Sequence, residues 1–141
     1  MRKLFPILMI LFSFAACDNY ENFNSLLNQS IVEFIQKEYR GATIRSTEYD
    51  DQGLLEVEIR HDSRIKEVYF DYNDNWVYTT WDVKASDLPS AVKSAVSAKY
   101  PGYRIDDADF YESVEKSYYR IEIEKGEFEK TIYMTKEGNQ Q

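Results

Sequence analysis

Residues 55–70 read Leu55-Glu56-Val57-Glu58-Ile59-Arg60-His61-Asp62-Ser63-Arg64-Ile65-Lys66-Glu67-Val68-Tyr69-Phe70. Leu55, Val57 and Ile59 alternate with Glu56, Glu58 and Arg60, the period of two that marks a strand with one apolar and one charged face. Such a strand belongs to an antiparallel sheet covered on one side. A two-residue loop at Asp62-Ser63 sets Val57 opposite Val68 and Leu55 opposite Phe70, so the apolar side chains of both strands share a face. The same hairpin is written again 64 residues later. Tyr119, Ile121 and Ile123 alternate with Arg120, Glu122 and Glu124. With Gly126-Glu127 as the loop, Ile121 faces Ile132 and Tyr119 faces Met134. Val68-Tyr69-Phe70 then matches Ile132-Tyr133-Met134, and Asn75 matches Asn139.

Each hairpin is preceded by a helix pattern. Ile31, Phe34, Ile35 and Tyr39 mark one face at helical spacing, as do Val92, Ala95, Val96 and Tyr100. Ile31, Ile35, Tyr39, Gly41 and Ile44 align with Val92, Val96, Tyr100, Gly102 and Ile105 at a constant offset of 61. The three-residue change in offset falls before Leu55, where a hairpin loop can absorb it. Ser30 and Glu33 spell a Ser-x-x-Glu capping box. Pro89 suits a first helical position. Gly41 and Gly102 are expected as the C′ residues that end the helices, the second stop made firmer by Pro101. Asp50 to Gly53, His61 to Arg64 and Tyr72 to Asn75 are turns by composition. Trp76 to Val83 adds a fourth strand to the first unit that the second unit lacks. The expectation is an α+β fold of tandem helix-plus-antiparallel-strand repeats, residues 28–83 and 84–141. Together they would form one curved sheet of about seven strands with two helices on one face.

Residues 1–16 stand apart. Arg2 and Lys3 are followed by the apolar run Leu4 to Phe14 and then Ala15-Ala16, the three-part layout of a secretory signal peptide. The apolar run is shorter than the ~20 residues needed to span a bilayer. Cys17 directly follows Phe14-Ala15-Ala16, which resembles a bacterial lipobox with Phe14 in the place of the usual leucine. That resemblance implies cleavage before Cys17 and lipid attachment to its thiol, with two or more acyl chains giving a stable membrane anchor. An ordinary signal cut after Ala15 would instead leave Cys17 a free thiol. Both readings put the chain outside the cytoplasm, in the cell envelope. Residues 17–27 read as a polar tether between lipid and domain.

Composition excludes several classes. The chain has 141 residues, with 25 acidic against 17 basic side chains, for a net charge of −8. Without residues 1–16 the balance moves to −10. An acidic chain is a poor nucleic-acid binder, because neutralising phosphates needs clustered Lys and Arg. One cysteine rules out an intramolecular disulfide framework and a Cys-rich zinc site, and one histidine rules out most His-based metal sites. No cofactor and no metal are expected.

Taken together, the lipobox signal, Tyr100-Pro101-Gly102, the alternating Leu55 to Ile59 and the Asp71 to Trp76 hairpin resemble the PepSY-like lipoproteins of Bacteroides-type bacteria. The resemblance covers nearly all of residues 28–139. It implies a fold similar to the β-lactamase-inhibitor protein, in which tandem helix-plus-sheet units present a curved sheet. It also implies a peptidase-inhibitor-like role, since related PepSY domains are thought to restrain peptidases. It brings no catalytic residues. The chain departs from the pattern at Arg40, where the first unit's proline would stand, and at Asp74, where its hairpin usually has glycine.

The open sheet face is the expected partner-binding surface. Glu56, Glu58, Arg60, Tyr69 and Asp71 fall on it by alternation. With Asn73-Asp74 as a tight loop, Trp76 and Tyr78 join Tyr69, and the second unit adds Tyr118, Arg120 and Tyr133. Tyr and Trp carry large contact area, few rotamers and a polar tip, which suits interfaces, although cross-strand aromatic pairs also stabilise sheets by themselves. Trp81 falls on the inner face, as core. Asp71 to Asn75 imitates a calcium loop, but Trp76 occupies the position that needs glycine and Asp82 the one that needs a bidentate glutamate, so a hairpin explains these residues. His61, Asp62 and Ser63 are adjacent turn residues, which do not converge as a relay. Nothing suggests an enclosing pocket for Glu56 and Glu58, and Asp106, Asp107 and Asp109 read as a solvated loop and strand start. The expectation is therefore a non-enzymatic envelope lipoprotein that binds a protein or peptide, with a small-ligand or cation-binding periplasmic module as the alternative.

Overall fold

The computed structural model describes residues 27–141. Residues 1–26, which include the expected signal, Cys17 and most of the tether, lie outside the described residues. Helices α1 (Gln29–Glu38) and α2 (Ser90–Lys99) accompany seven strands: β1 (Thr43–Tyr49), β2 (Leu55–His61), β3 (Arg64–Phe70), β4 (Trp76–Asp82), β5 (Arg104–Ser113), β6 (Ser117–Lys125) and β7 (Phe128–Met134). The strands form one antiparallel sheet in chain order, curved and open, with each strand beside its sequence neighbour.

The alternation fixes the covered face. Val57 pairs with Val68 and Leu55 with Phe70, while Ile121 pairs with Ile132 and Tyr119 with Met134. The two-residue loops behave as their residues demand. Asp62 and Ser63 both take positive φ, at 51° and 63°, as a type I′ turn requires, and Gly126 takes 62° at the first loop position. Under α1, Ile31, Ile35 and Tyr39 pack on Leu55, Val57, Ile59, Val68 and Phe70. Under α2, Val92 and Val96 pack on Ala108, Ile121, Ile123, Ile132 and Met134, with Val83 and Leu88 closing the side. Each aliphatic side chain taken fully from water contributes about 1.5–3 kcal/mol. The two helices thus cover separate cores on the same face of a common sheet.

Three bulges adjust the pleat. The register shifts between Ile44 and Ser46, leaving Arg45 extra, and between Ile105 and Asp107, leaving Asp106 extra. A third shift makes Val77 the extra residue of β4, because Tyr69 pairs with Tyr78 while Phe70 pairs with Trp76. This overturns the expected tight loop at Asn73-Asp74. The loop spans Tyr72 to Asp74, closed by Asp71 N–H to the Asn75 carbonyl at 2.9 Å, and Asp71 itself turns its carboxylate onto the Asn73 and Asn75 amides. Asp71 is therefore a loop residue rather than part of the open face. Past the bulge, Trp76 points toward the helices.

The helix ends also differ from expectation. Asn28 is the N-cap of α1 and makes no side-chain cap bond, so the Ser30–Glu33 capping box does not form. The Ser30 hydroxyl instead donates to Asp74 at 2.8 Å, beside the Asn28 amide at 2.8 and 3.0 Å. At the other end, Gly41 and Gly102 act one step later than C′. Each has φ +83° and is the third residue of a turn closed by Ala42 N–H to Tyr39 O or Tyr103 N–H to Tyr100 O. Positive φ at that place defines a type II turn, and Pro101 sits where such turns favour proline.

The hairpin tips after β3 and β7 both reach a helix start. Asp74, at φ +62°, does so with its carboxylate. Gly138, at φ +82°, approaches so closely that an added Cβ would lie 2.6 Å from the Ala91 carbonyl oxygen. Gly53 has the same φ and nothing within 4 Å of that position. Gly138→Ala should therefore cost about 3 kcal/mol, strain plus a clash, and Gly53→Ala about 1–2 kcal/mol, strain alone. Urea denaturation of both variants checks this, and equal losses would show that the Ala91 contact is loose.

Candidate functional site

The open face carries five tyrosines on five consecutive strands. Tyr69 on β3 stacks on Tyr78 of β4 with ring centroids 4.3 Å apart, Tyr78 on Tyr111 of β5 at 4.7 Å, and Tyr111 on Tyr118 of β6 at 4.7 Å. The rings are within 17–24° of parallel. Tyr133 of β7 closes the row edge-on to Tyr118 at 5.7 Å. Neighbouring strands lie ~4.8 Å apart, close to the separation at which aromatic rings stack with an offset, so the sheet itself sets the ladder. Stacked rings hide their faces against each other and turn edges and hydroxyls outward. Exposure rises along the row, from 8% at Tyr69 to 42% at Tyr133.

Carboxylates border the row. The Tyr69 hydroxyl donates to Glu56 at 2.9 Å and to Glu67 at 3.1 Å. Burial and these two carboxylates push its pKa far up, and burial takes Tyr78 to about 12. Glu67 is raised by burial and by the nearby Glu56, Asp82 and Glu58, against the opposing hydrogen bond from Tyr69. Asp109 is raised by burial and by Asp107 and Asp82, against the opposing bond from Arg120 at 2.8 Å. Arg120 also pairs with Glu122, and Arg45 with Glu58 at 2.9 Å. A dimple of about 230 Å³ lies among Ile65, Glu67, Thr80, Asp82 and Asp109.

Tyr69, Tyr78, Tyr118 and Tyr133 come together as the alternation predicts. Trp76 does not join them. It lies on the helix side, stacked on Phe34 at 5.6 Å, with its indole N–H donating to Thr79 at 2.9 Å. The residue that periodicity missed is Tyr111, which joins the two halves of the row. Trp81 faces inward as expected, half-buried between the two cores, with the Lys66 ammonium 4.2 Å from its ring centre. His61 rests edge-on against Tyr39 at 5.6 Å, and its Nδ1 lies 3.4 Å from the exposed Asp62 carboxylate, with no hydrogen-bond geometry. Among the described residues, no group of three or more His, Cys, Asp or Glu is arranged to hold a metal ion.

The crowding of acids makes a testable point. A carboxyl whose pKa is raised by folding stabilises the fold below its unfolded pKa and loses that contribution as pH climbs through the folded value. Glu67→Gln keeps an acceptor for Tyr69 and removes the charge. It should raise the melting temperature at pH 7 and leave it unchanged at pH 3, as thermal denaturation at the two pH values would reveal.

Comparison with known proteins bears on this fold. A BLIP-like protein from Bacteroides fragilis is similar at 27% identity and a TM-score of 0.70, over 81% of this chain and 82% of that one. A DUF2874 family protein from Bacteroides uniformis shares the fold at 18% identity and a TM-score of 0.69, over 81% and 86% of the two chains. So does one of the "putative periplasmic proteins" of Bacteroides eggerthii, at 18% identity and a TM-score of 0.66, over 80% and 84%. No curated protein matches the chain. The family described as "Putative beta-lactamase-inhibitor-like, PepSY-like" matches residues 53–141. The chain, by this match over more than half its length, belongs to the PepSY-like family.

Proposed function

We propose that this PepSY-like chain is a non-enzymatic cell-envelope protein that binds a protein or peptide partner through the open face of its sheet. The observation that carries this reading is the tyrosine row. Five aromatic side chains in contact, crossing β3 to β7 on the face opposite both helices, form a wide, rigid, amphipathic strip. Such strips serve interfaces because tyrosine loses little rotamer entropy on contact and keeps a hydroxyl for hydrogen bonding. The BLIP-like description of the Bacteroides fragilis relative agrees with a role in holding another protein, and a peptidase is the partner class that the resemblance implies. Ring edges, rather than ring faces, point outward, which suits a protein surface better than a sugar ring lying flat.

The same reading includes export and anchoring. Residues 1–16 act as the signal, Cys17 carries the lipid, and residues 17–27 tether the domain. Residues 28–83 and 84–141 are two PepSY-like repeats. The bulges at Arg45 and Asp106, 61 positions apart, support the repetition. The periplasmic description of the Bacteroides eggerthii relative supports the compartment.

Two experiments test the proposal. Mature protein used as bait on native envelope extract should capture a partner that is lost with Tyr111→Ser plus Tyr118→Ser and kept with the helix-side control Ser94→Ala. Capture that survives the double substitution would remove the open face from consideration. Separately, Cys17→Ser should move the protein from the membrane to the soluble fraction and abolish labelling by a radioactive fatty acid. Retention of both would refute the anchor.

A further inference from the structure

The helix side carries a second feature, on the face opposite the tyrosine row. Where the two cores meet, a cavity of about 360 Å³ opens among Phe34 and Glu38 of α1, Tyr39, Trp76 of β4 and Glu112 of β5. Its floor is fixed. The hydroxyl of Thr79, a fully buried polar side chain, accepts from the Trp76 indole at 2.9 Å and shares a hydrogen bond with the Tyr39 hydroxyl at 2.7 Å. Its apolar wall is aromatic, Trp76 stacked on Phe34, and Phe34 edge-on to Tyr39 at 6.4 Å.

The two charged residues of its lining, Glu38 and Glu112, are both acidic, and the neighbouring Lys66 ammonium feels the charge of Glu112. Glu112 is half-buried and makes no hydrogen bond or ion pair among the described residues. Glu38, an exposed residue of the same lining, pairs with the exposed Lys37 at 2.8 Å, a contact of little energetic weight. Both carboxylates act on the Tyr39 hydroxyl, helping burial to raise its pKa, so their fields converge in this space. Next to the cavity, the Lys66 ammonium already sits over Tyr39 at 5.1 Å and Trp81 at 4.2 Å, which shows that these rings accept a cation at close range. In the second half, Ala95 and Gln140 occupy the positions matching Phe34 and Trp76, and Gln140 bonds the Tyr100 hydroxyl at 3.2 Å. The aromatic wall belongs to the first half alone.

We propose that this cavity receives a lysine side chain of a partner polypeptide, its methylenes against Phe34 and Trp76 and its ammonium between Glu38 and Glu112. The chemistry matches on both counts, since a lysine presents an apolar stem ending in a compact positive charge. Lys66 supplies one ammonium and the two carboxylates leave room for another.

The probe is Nα-acetyl-lysine methylamide, followed through the indole N–H signals of ¹⁵N-labelled protein. The chain has two tryptophans, so Trp81→Phe assigns the Trp76 signal. The probe should shift the Trp76 signal saturably, and its Nε-acetylated, uncharged form should bind about tenfold more weakly. Glu112→Gln should weaken binding by a similar factor, while Lys66→Gln, which removes a competing charge, should tighten it. A Trp76 signal that does not move would overturn the proposal, as would one that moves equally for the charged and neutral probes. Neither outcome touches the tyrosine row, which lies on the other face.

Discussion

Seven strands can share one covered face only if the pleat stays in phase from the first to the last. A slip of one residue in any pairing would carry a whole strand's apolar set to the wet side. Here the phase survives three bulges. Arg45, Val77 and Asp106 are each an extra residue that pairs with nothing, and each lets the strand rejoin its neighbour with the aliphatic side chains inward. Val68, Thr79 and Glu112 then lie in line on the helix side, and Tyr69 and Tyr78 on the other. Everything that the two faces can do rests on that bookkeeping.

Two cores rather than one follow from the length of the helices. Ten-residue α1 packs on β2 and β3 and ten-residue α2 on β5, β6 and β7, so neither helix covers the middle of the sheet. The centre of the covered side is filled by Trp81, Phe110 and the stem of Lys66, with Thr79 bonding Tyr39 and Trp76. A sheet without helices over its midline leaves a furrow there, and polar atoms collect in it. On the far side no helix intervenes, and the aromatic column crosses β4 to β5 without interruption.

The paired hairpins, the strand faces and both helices were legible in the residues because period and turn chemistry agreed at every step. Leu55 to Phe70 could be paired by eye, since Asp62-Ser63 fits a two-residue loop and little else. Trp76 was not legible. Its side depends on whether Val77 is bulged, and a bulge leaves no local signature when the bulged residue is a valine, an ordinary strand former. Asp74 hid the same problem, because its αL conformation lengthens the loop by one residue while the bulge restores the count. Tyr111 was missed for a different reason. Aligned with the first half it falls on Asp50, a turn residue, so the internal repetition offers no guide. Phe110 and Tyr111 are adjacent aromatics, and either could have faced inward. The alternation of Ala108, Phe110 and Glu112 was the available clue, blurred by the acidic residues before it. Tertiary contacts also claimed Ser30 for Asp74, over the local capping bond that the sequence spelled out.

The hairpin tips at Asp74 and Gly138 do the same mechanical job by opposite means. One reaches its helix with a side chain, the other by having none. The first solution depends on an acceptor of the right length, and the second on empty space. The two halves have therefore parted company in what they will tolerate. A saturation map of substitutions, overlaid on itself by the internal offset, would not superimpose at these tips: one column would exclude apolar replacements, and its counterpart would exclude every residue larger than a hydrogen atom.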